Sequence, residues 1–161
     1  IVEIDDDLVN LIDNRKQSVN LQETIEDMKK IMTEQSISYG GIYQCDNSMF
    51  MSGCSQYTYD LRYMLGLFRL RFIRKEIILE TNYAEDFENC ILYYLRDGKI
   101  LKNNWVAGKT KNYASGGCSG DGRNLDTGKA DKEHLATKYP ELTRLFTRKN
   151  GVTDLRLKDK R

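Results

Sequence analysis

Apolar residues recur at intervals of three and four through much of the chain, which is the spacing of one face of an α-helix. This pattern predicts helices over residues 5–16, 21–34, 56–75 and 83–96. Asn20 is the expected N-cap of the second helix, with Glu23 completing a capping box, and Gly98 is the expected stop of the fourth. The short connection between the first two helices predicts an antiparallel helical hairpin.

Extended structure is predicted in few places. Residues 42–51 indicate a small β-hairpin that turns at Asp46-Asn47, although a loop is an open alternative. Residues 103–130 contain six of the twelve glycines and little periodicity, so a long loop is expected there. After this loop the pattern predicts a helix over 132–138 capped by Asp131, a helix over 140–149 beginning at Pro140, and a terminal strand over 152–157.

These elements together predict a mainly α fold with minor β structure. We expect a single compact domain over residues 1–161, with five to six helices, one or two short β-hairpins and a long glycine-rich loop. Residues 1–98 would form a helical body, and residues 99–161 the loop and a basic helical cap. An apolar fraction of 40% argues against a disordered chain. No apolar run approaches the ~20 residues of a membrane span, so no membrane partner is predicted.

The formal net charge of +1 conceals a strong division along the chain. Residues 1–60 carry a net charge of −7, residues 61–98 cancel, and residues 99–161 carry +8. Such a division indicates two electrostatic fields, of which the basic one suits a phosphate-rich partner. The acidic N-terminal helices would then face solvent, a protein partner or another part of a larger protein, which a first residue other than Met also suggests.

Cations and aromatic residues alternate in the basic half, and this combination is typical of single-strand binding surfaces. The leading interpretation is therefore a non-enzymatic binding domain whose basic C-terminal part contacts nucleic acid, either RNA or single-stranded DNA. The predicted contact residues are Arg71, Arg74, Lys75, Lys102, Trp105, Lys109, Lys111, Tyr113, Arg148 and Lys149.

Two other classes of function remain open. One is an adaptor domain that uses its charge dipole to orient a protein partner. The other is a metal-independent nuclease or toxin-type domain in which His134 acts as general base beside several cations. Cys118, flanked by glycines, is a weaker candidate for a thiolate nucleophile. The balance of these observations favours a protein that is not an enzyme.

Four cysteines and a single histidine lack the spacing of a zinc site. Free thiols in the reducing interior of a cell are the favoured interpretation, two disulfides are the alternative, and Cys90 is expected to be a small core residue. Residues 107–110 resemble the end of a phosphate-binding loop, but Asn103 replaces its first glycine. No metal or cofactor is therefore predicted.

Overall fold

The computed structural model describes residues 1–110 and 125–158. It is a mixed α/β structure in which a curled sheet of seven strands forms a half-barrel beside a separate two-stranded hairpin. The expectation of a mainly α fold with five or six helices is wrong, because several apolar segments that have helical spacing form strands instead. In the described part, no helix is both long and apolar enough to cross a membrane.

The helices of the described residues are α1 (Leu21–Glu34), α2 (Ser48–Ser52), α3 (Glu85–Asp97) and α4 (Leu125–Lys138). The strands are β1 (Val2–Ile4), β2 (Leu8–Asp13), β3 (Ser18–Val19), β4 (Tyr39–Tyr43), β5 (Tyr57–Thr58), β6 (Phe68–Arg71), β7 (Leu101–Thr110), β8 (Thr143–Thr147) and β9 (Thr153–Leu157).

The main sheet has the strand order β1-β6-β4-β7-β2-β3, and β5 pairs with one part of β7. β4 and β7 are parallel, with Gly40 opposite Leu101, whereas the other neighbours are antiparallel. β8 and β9 form the separate antiparallel hairpin, in which Leu145 lies opposite Leu155. With ten residues, β7 contacts three other strands and is the centre of the fold.

Helices cover both faces of the sheet. On one face, Met28 and Met32 of α1 pack in a core that includes Phe68 and Leu70 of β6. On the other face, α3 contributes Ile91 to a second core. Strands covered on both faces bury consecutive residues, so they lack the alternation by which a strand is usually recognised.

This double burial explains the first error. Residues 5–16 do not form a helix, because residues 8–13 form β2, and Leu11 and Ile12 are both buried. Asp5, Asp6 and Asp7 lie at the connection between β1 and β2 instead of in a first helical turn. The predicted antiparallel pair of helices is therefore absent from this part of the chain.

The predicted helix over 56–75 is also wrong. Residues 57–58 and 68–71 form strands, and the chain between them crosses the sheet at close range. A Cβ at Gly108 of β7 would lie 2.4 Å from Cδ2 of Leu67, and one at Gly41 of β4 would lie 2.9 Å from Sδ of Met64. The apolar stripe is thus buried without a helix, because glycines in the sheet make room for an irregular segment.

Two helix predictions are confirmed. The helix over 21–34 matches α1, and Oδ1 of Asn20 accepts a hydrogen bond of 3.2 Å from the Glu23 amide. The helix predicted over 83–96 corresponds to α3, which ends at Gly98 with φ 72°. Only glycine adopts this left-handed conformation without strain.

The remaining corrections concern turns and the C-terminal region. Residues 42–51 form the end of β4 and helix α2, and Asn47 caps that helix. The predicted loop over 103–130 begins as β7, and α4 starts well before Asp131. The helix expected over 140–149 is wrong, because β8 lies there, whereas the terminal strand is confirmed as β9.

Candidate functional site

The unit of α4 and the β8–β9 hairpin is docked against the segment that precedes α3. Leu135 of α4 and Leu155 of β9 are buried in one cluster with Ala84. The Asp131 carboxylate accepts hydrogen bonds from the amides of Asn82 (3.0 Å) and Tyr83 (2.7 Å). Packing and backbone hydrogen bonds therefore hold the hairpin beside the main sheet.

A cleft of about 990 Å³ lies between this hairpin and the body of the protein, and we call it the hairpin cleft. It is lined by Gln44, Tyr63, Tyr83, Phe87, Lys102, Lys132, Arg144, Phe146, Arg148, Asp154, Leu155, Arg156, Leu157 and Lys158. Six of these residues are basic, and Asp154 carries the one carboxylate among the described residues that line the cleft. Its size is that of a cavity for a drug-sized molecule or larger.

Asp154 is occupied by contacts inside the protein. Its carboxylate accepts hydrogen bonds from Nζ of Lys132 (2.9 Å) and Nε of Arg148 (2.7 Å), and its side chain is 8% exposed. Burial raises the pKa of Asp154, but the hydrogen bonds from Lys132 and Arg148 outweigh it and hold that pKa below its ordinary value. The carboxylate therefore anchors the hairpin to α4, and it is not exposed to repel an anionic ligand.

Cations and an aromatic ring alternate along the hairpin. Arg144, Phe146 and Arg148 are spaced by two residues on β8 and its continuation, so they project to one side. Arg156 of β9 extends its guanidinium over the ring of Phe146, 5.1 Å from the ring centroid. This cation–π contact holds one arginine against the aromatic ring within the cleft.

The deepest cation of the cleft is Lys102, whose residue is 2% exposed. Its ammonium donates to the backbone carbonyl of Tyr63 at 2.7 Å and to Oε1 of Gln44, and it lies 4.8 Å from the centroid of the Tyr43 ring. A buried ammonium with these partners is held in one place. Lys102 therefore contributes positive charge at the floor of the cleft.

The opposite wall is aromatic. Tyr63 and Phe87 have ring centroids 4.4 Å apart. The Tyr63 hydroxyl donates to the Asp86 carboxylate at 3.3 Å. Burial, followed by the nearby Asp86 charge, raises the pKa of Tyr63 far above its ordinary value, so this phenol is neutral. The wall thus offers uncharged ring surface opposite the cations of the hairpin.

The residues predicted to contact nucleic acid are dispersed over the structure. Lys102 and Arg148 line the hairpin cleft. Arg71 pairs with Glu3, and Arg74 donates to Oγ of Ser38 at 3.0 Å. The exposed side chains of Lys75, Lys109 and Lys149 do not line this cleft, and Lys111 and Tyr113 lie outside the described residues.

The residues predicted for catalysis are not brought to the cleft either. His134 is half-exposed on α4, where Nε2 lies 3.0 Å from a Glu80 oxygen that Nζ of Lys138 also contacts at 2.6 Å. His134 is not among the residues that line the hairpin cleft. Cys118 lies outside the described residues. Cys90 is buried as expected, and burial raises its thiol pKa to about 12.

Sequence reasoning did not assign Lys132, Arg144, Arg156 and Lys158 to the site. A usable signal was present, because Arg144, Phe146 and Arg148 alternate with less polar residues and a second alternating segment follows the turn. Asn150-Gly151 between the two segments is a strong hairpin signal, and Gly151 has φ 82°. Pro140 favoured a helix start instead, and this concealed the hairpin.

Trp105 lines a second pocket, of about 360 Å³, which we call the Trp105 pocket. Its walls include three carboxylates, from Asp13, Glu23 and Asp27, together with Arg15. The indole is 38% exposed, and its Nε1 donates to the Cys54 carbonyl at 2.9 Å. Trp105 is therefore separated from the cluster of cations that forms the hairpin cleft.

The geometry of these two pockets is the available basis for assigning a function. A comparison of the chain with models of known families finds no match. Comparisons with curated proteins and with solved structures find none either, so the chain is assigned to no family here.

Proposed function

We propose that this chain is a non-enzymatic binding domain that holds single-stranded nucleic acid, RNA or DNA, in the hairpin cleft. The observation that carries the proposal is the lining of that cleft, which combines six basic side chains and one internally paired carboxylate with four aromatic rings. Phosphates require cations, and unpaired bases require ring faces on which to stack.

The position of the cations favours an elongated polyanion. Arg144 and Arg148 lie four positions apart, which is about 13 Å along an extended strand. Arg144 and Arg156 are exposed and make no ion pair with other described residues, and the exposed Lys158 donates to the Pro140 carbonyl at 2.6 Å. These side chains are able to contact successive phosphates of one strand.

The aromatic residues favour a single strand over a duplex. Phe146 on the hairpin and Tyr83 and Phe87 on the opposite wall all line the cleft. Base faces are accessible to such rings only where the bases are unpaired, and stacking of this kind tolerates different sequences. We therefore expect weak sequence preference and a strong dependence on salt.

Charge pairing within the body supports the hairpin as the basic surface. Glu3 pairs with Arg69 and Arg71, and Asp86 pairs with Arg69 at 2.9 Å. These contacts between the acidic and basic parts of the chain consume cations of β6. The proposal thus places the contact surface on β8, β9 and α4, and it leaves Arg71 and Arg74 out.

The test is binding of a labelled single-stranded oligonucleotide, measured by fluorescence anisotropy over a range of salt concentrations. The triple variant Arg144→Gln/Arg156→Gln/Lys158→Gln removes three cations of the cleft. If each contacts one phosphate, affinity at low salt should fall by about 100-fold, and the slope of log affinity against log salt should decrease by about 2.

The matched control is Arg15→Gln/Lys29→Gln/Lys30→Gln, which removes the same charge from exposed residues of the β2–β3 turn and of α1. It should lose much less affinity than the cleft variant, with a similar unfolding transition for both. Equal losses in the two variants, or no salt-sensitive binding by the wild type at about 50 mM salt, would contradict the proposal.

A further inference from the structure

We infer that Arg144 and Arg156 form a two-arginine clamp for a single phosphate group inside the hairpin cleft. The inference rests on the proposed function where that phosphate belongs to a nucleic acid. It stands separately where the ligand is a free phosphate or polyphosphate, because the chemistry that recognises the group is the same.

The register of the hairpin places the two arginines together. In the antiparallel β8–β9 pair, Arg144 is directly opposite Arg156, and both line the cleft. Side chains directly opposite each other in such a pair project to the same side, with Cβ atoms about 5 Å apart. The two guanidinium groups are therefore able to reach one small anion from two sides.

This pair of like charges has no anion of its own. Asp154 is the carboxylate of the described cleft lining, and it is already bonded to Lys132 and Arg148. Like charges directly opposite each other destabilise a hairpin. A bound phosphate would replace this repulsion by charge-assisted hydrogen bonds, for which the planar guanidinium is well shaped.

One half of the clamp is already held in place. The guanidinium of Arg156 lies over the Phe146 ring at 5.1 Å, which limits its range of positions. Arg144 is exposed and makes no ion pair with the described residues, so it is the arm that closes on the ligand. This difference makes Arg144 the better position for a substitution, since its loss leaves the contact between Arg156 and Phe146 intact.

The clamp predicts opposite signs for stability and binding. In Arg144→Gln, the melting temperature without ligand should be equal to or higher than that of the wild type, because repulsion within the hairpin is removed. The concentration of tripolyphosphate needed for a given rise in melting temperature should increase by about tenfold, since a charge-assisted contact is lost. An arginine with only a structural role would give a lower melting temperature and an unchanged response to tripolyphosphate.

The experiment is a thermal-shift titration of the full chain with inorganic phosphate and with tripolyphosphate, repeated for Arg144→Gln, Arg144→Lys and Arg15→Gln. Arg144→Lys keeps the charge but not the fork, so its loss should lie between those of the wild type and Arg144→Gln. Arg15→Gln removes the same charge from an exposed residue outside the cleft and should respond as the wild type does. A wild-type chain with no response to either anion would overturn the clamp.

Oligonucleotide binding by the same variants distinguishes the two proposals. If Arg144→Gln weakens both tripolyphosphate and oligonucleotide binding, the clamp holds a backbone phosphate. If the wild type responds to tripolyphosphate and Arg144→Gln removes that response, but no oligonucleotide binds, the clamp holds a free phosphate and the proposed function fails. If oligonucleotides bind and Arg144→Gln changes neither affinity nor the response to anions, the proposed function stands and the clamp fails.

Discussion

The hairpin cleft and the Trp105 pocket are both lined by β7, but they have opposite electrostatic character. Lys102 of β7 lines the hairpin cleft, and the next residue, Asn103, lines the Trp105 pocket. The first is rich in cations, whereas the second contains three carboxylates and one arginine. Consecutive residues of a strand face opposite sides, so one central strand contributes to two sites of different charge.

The comparison shows that an aromatic residue does not by itself identify a surface for nucleic acid. Trp105 is partly exposed, as a stacking residue should be, yet its neighbours Glu23 and Asp27 would repel phosphate. Phe146 is less prominent in the sequence, but its neighbours are arginines. The charge around a ring decides which polymer it is able to stack against.

The largest effect that we expect concerns the carboxylate of the hairpin cleft. Asp154→Asn should lower the free energy of unfolding by about 2 kcal/mol, because Lys132 and Arg148 lose a buried anionic partner. Urea denaturation measures this change. The control Asp46→Asn breaks an exposed pair with Lys16 at 3.5 Å and should cost less than about 0.5 kcal/mol.

The same carboxylate predicts a pH dependence of stability. Because the folded-state pKa of Asp154 lies below its ordinary 3.8, its contribution is complete above the unfolded-state pKa and is lost as pH falls through the folded-state value. The gap in stability between the wild type and Asp154→Asn should therefore close as the pH falls below about 4. A gap that stays constant down to pH ~2 would show that the charge of Asp154 is not the cause.

A smaller effect distinguishes the aromatic residues of the two pockets. Phe146→Ala should weaken single-strand binding by about tenfold through the loss of one stacked base, and Trp105→Ala should change it by less than about twofold. Fluorescence anisotropy with one oligonucleotide measures both. Phe146→Tyr keeps the ring face and should retain affinity, and a greater loss in Trp105→Ala than in Phe146→Ala would reverse the assignment of the two pockets.

The smallest effect tests the acidic character of the Trp105 pocket. Burial, and secondarily the charge of Asp27, raises the pKa of Tyr57 in that pocket. Asp27→Asn should therefore lower this pKa, but only in part, because burial is the larger cause. Tyrosinate absorbance during an alkaline titration measures the change. Glu26→Gln on the exposed side of α1 removes the same charge and should leave the pKa of Tyr57 unaltered.

The success of sequence reasoning varied between elements for a physical reason. α1 and α3 were predicted because each has one buried stripe and a local end signal, Asn20 or Gly98. Both depend on contacts within a few residues of the chain. β6 carried an alternating signal as well, since Phe68 and Leu70 are buried between half-buried arginines, but the longer helical spacing around it obscured that signal.

The candidate site was predicted in kind more than in position. The excess of positive charge after residue 99 drew attention to the C-terminal region, where most of the cations of the hairpin cleft lie. The predicted contacts, however, centred on Trp105 and its neighbours, and only Lys102 and Arg148 among them line the cleft. Whether Arg71 faced a ligand or Glu3 depended on a strand pairing, β1 with β6, that no local pattern indicates.

The sequence alone determined the two helices with local caps, the turn at Asn150-Gly151 and the division of charge along the chain. The tertiary structure decided that a segment with polar residues Lys102, Asn103 and Asn104 forms the central strand, where all three are buried. Their burial is tolerated because distant groups satisfy them: Lys102 donates to Gln44 and the Tyr63 carbonyl, and Asn104 donates to the Ser55 carbonyl at 2.9 Å. Partners so far apart along the chain meet only in the folded state, so no local pattern reveals them.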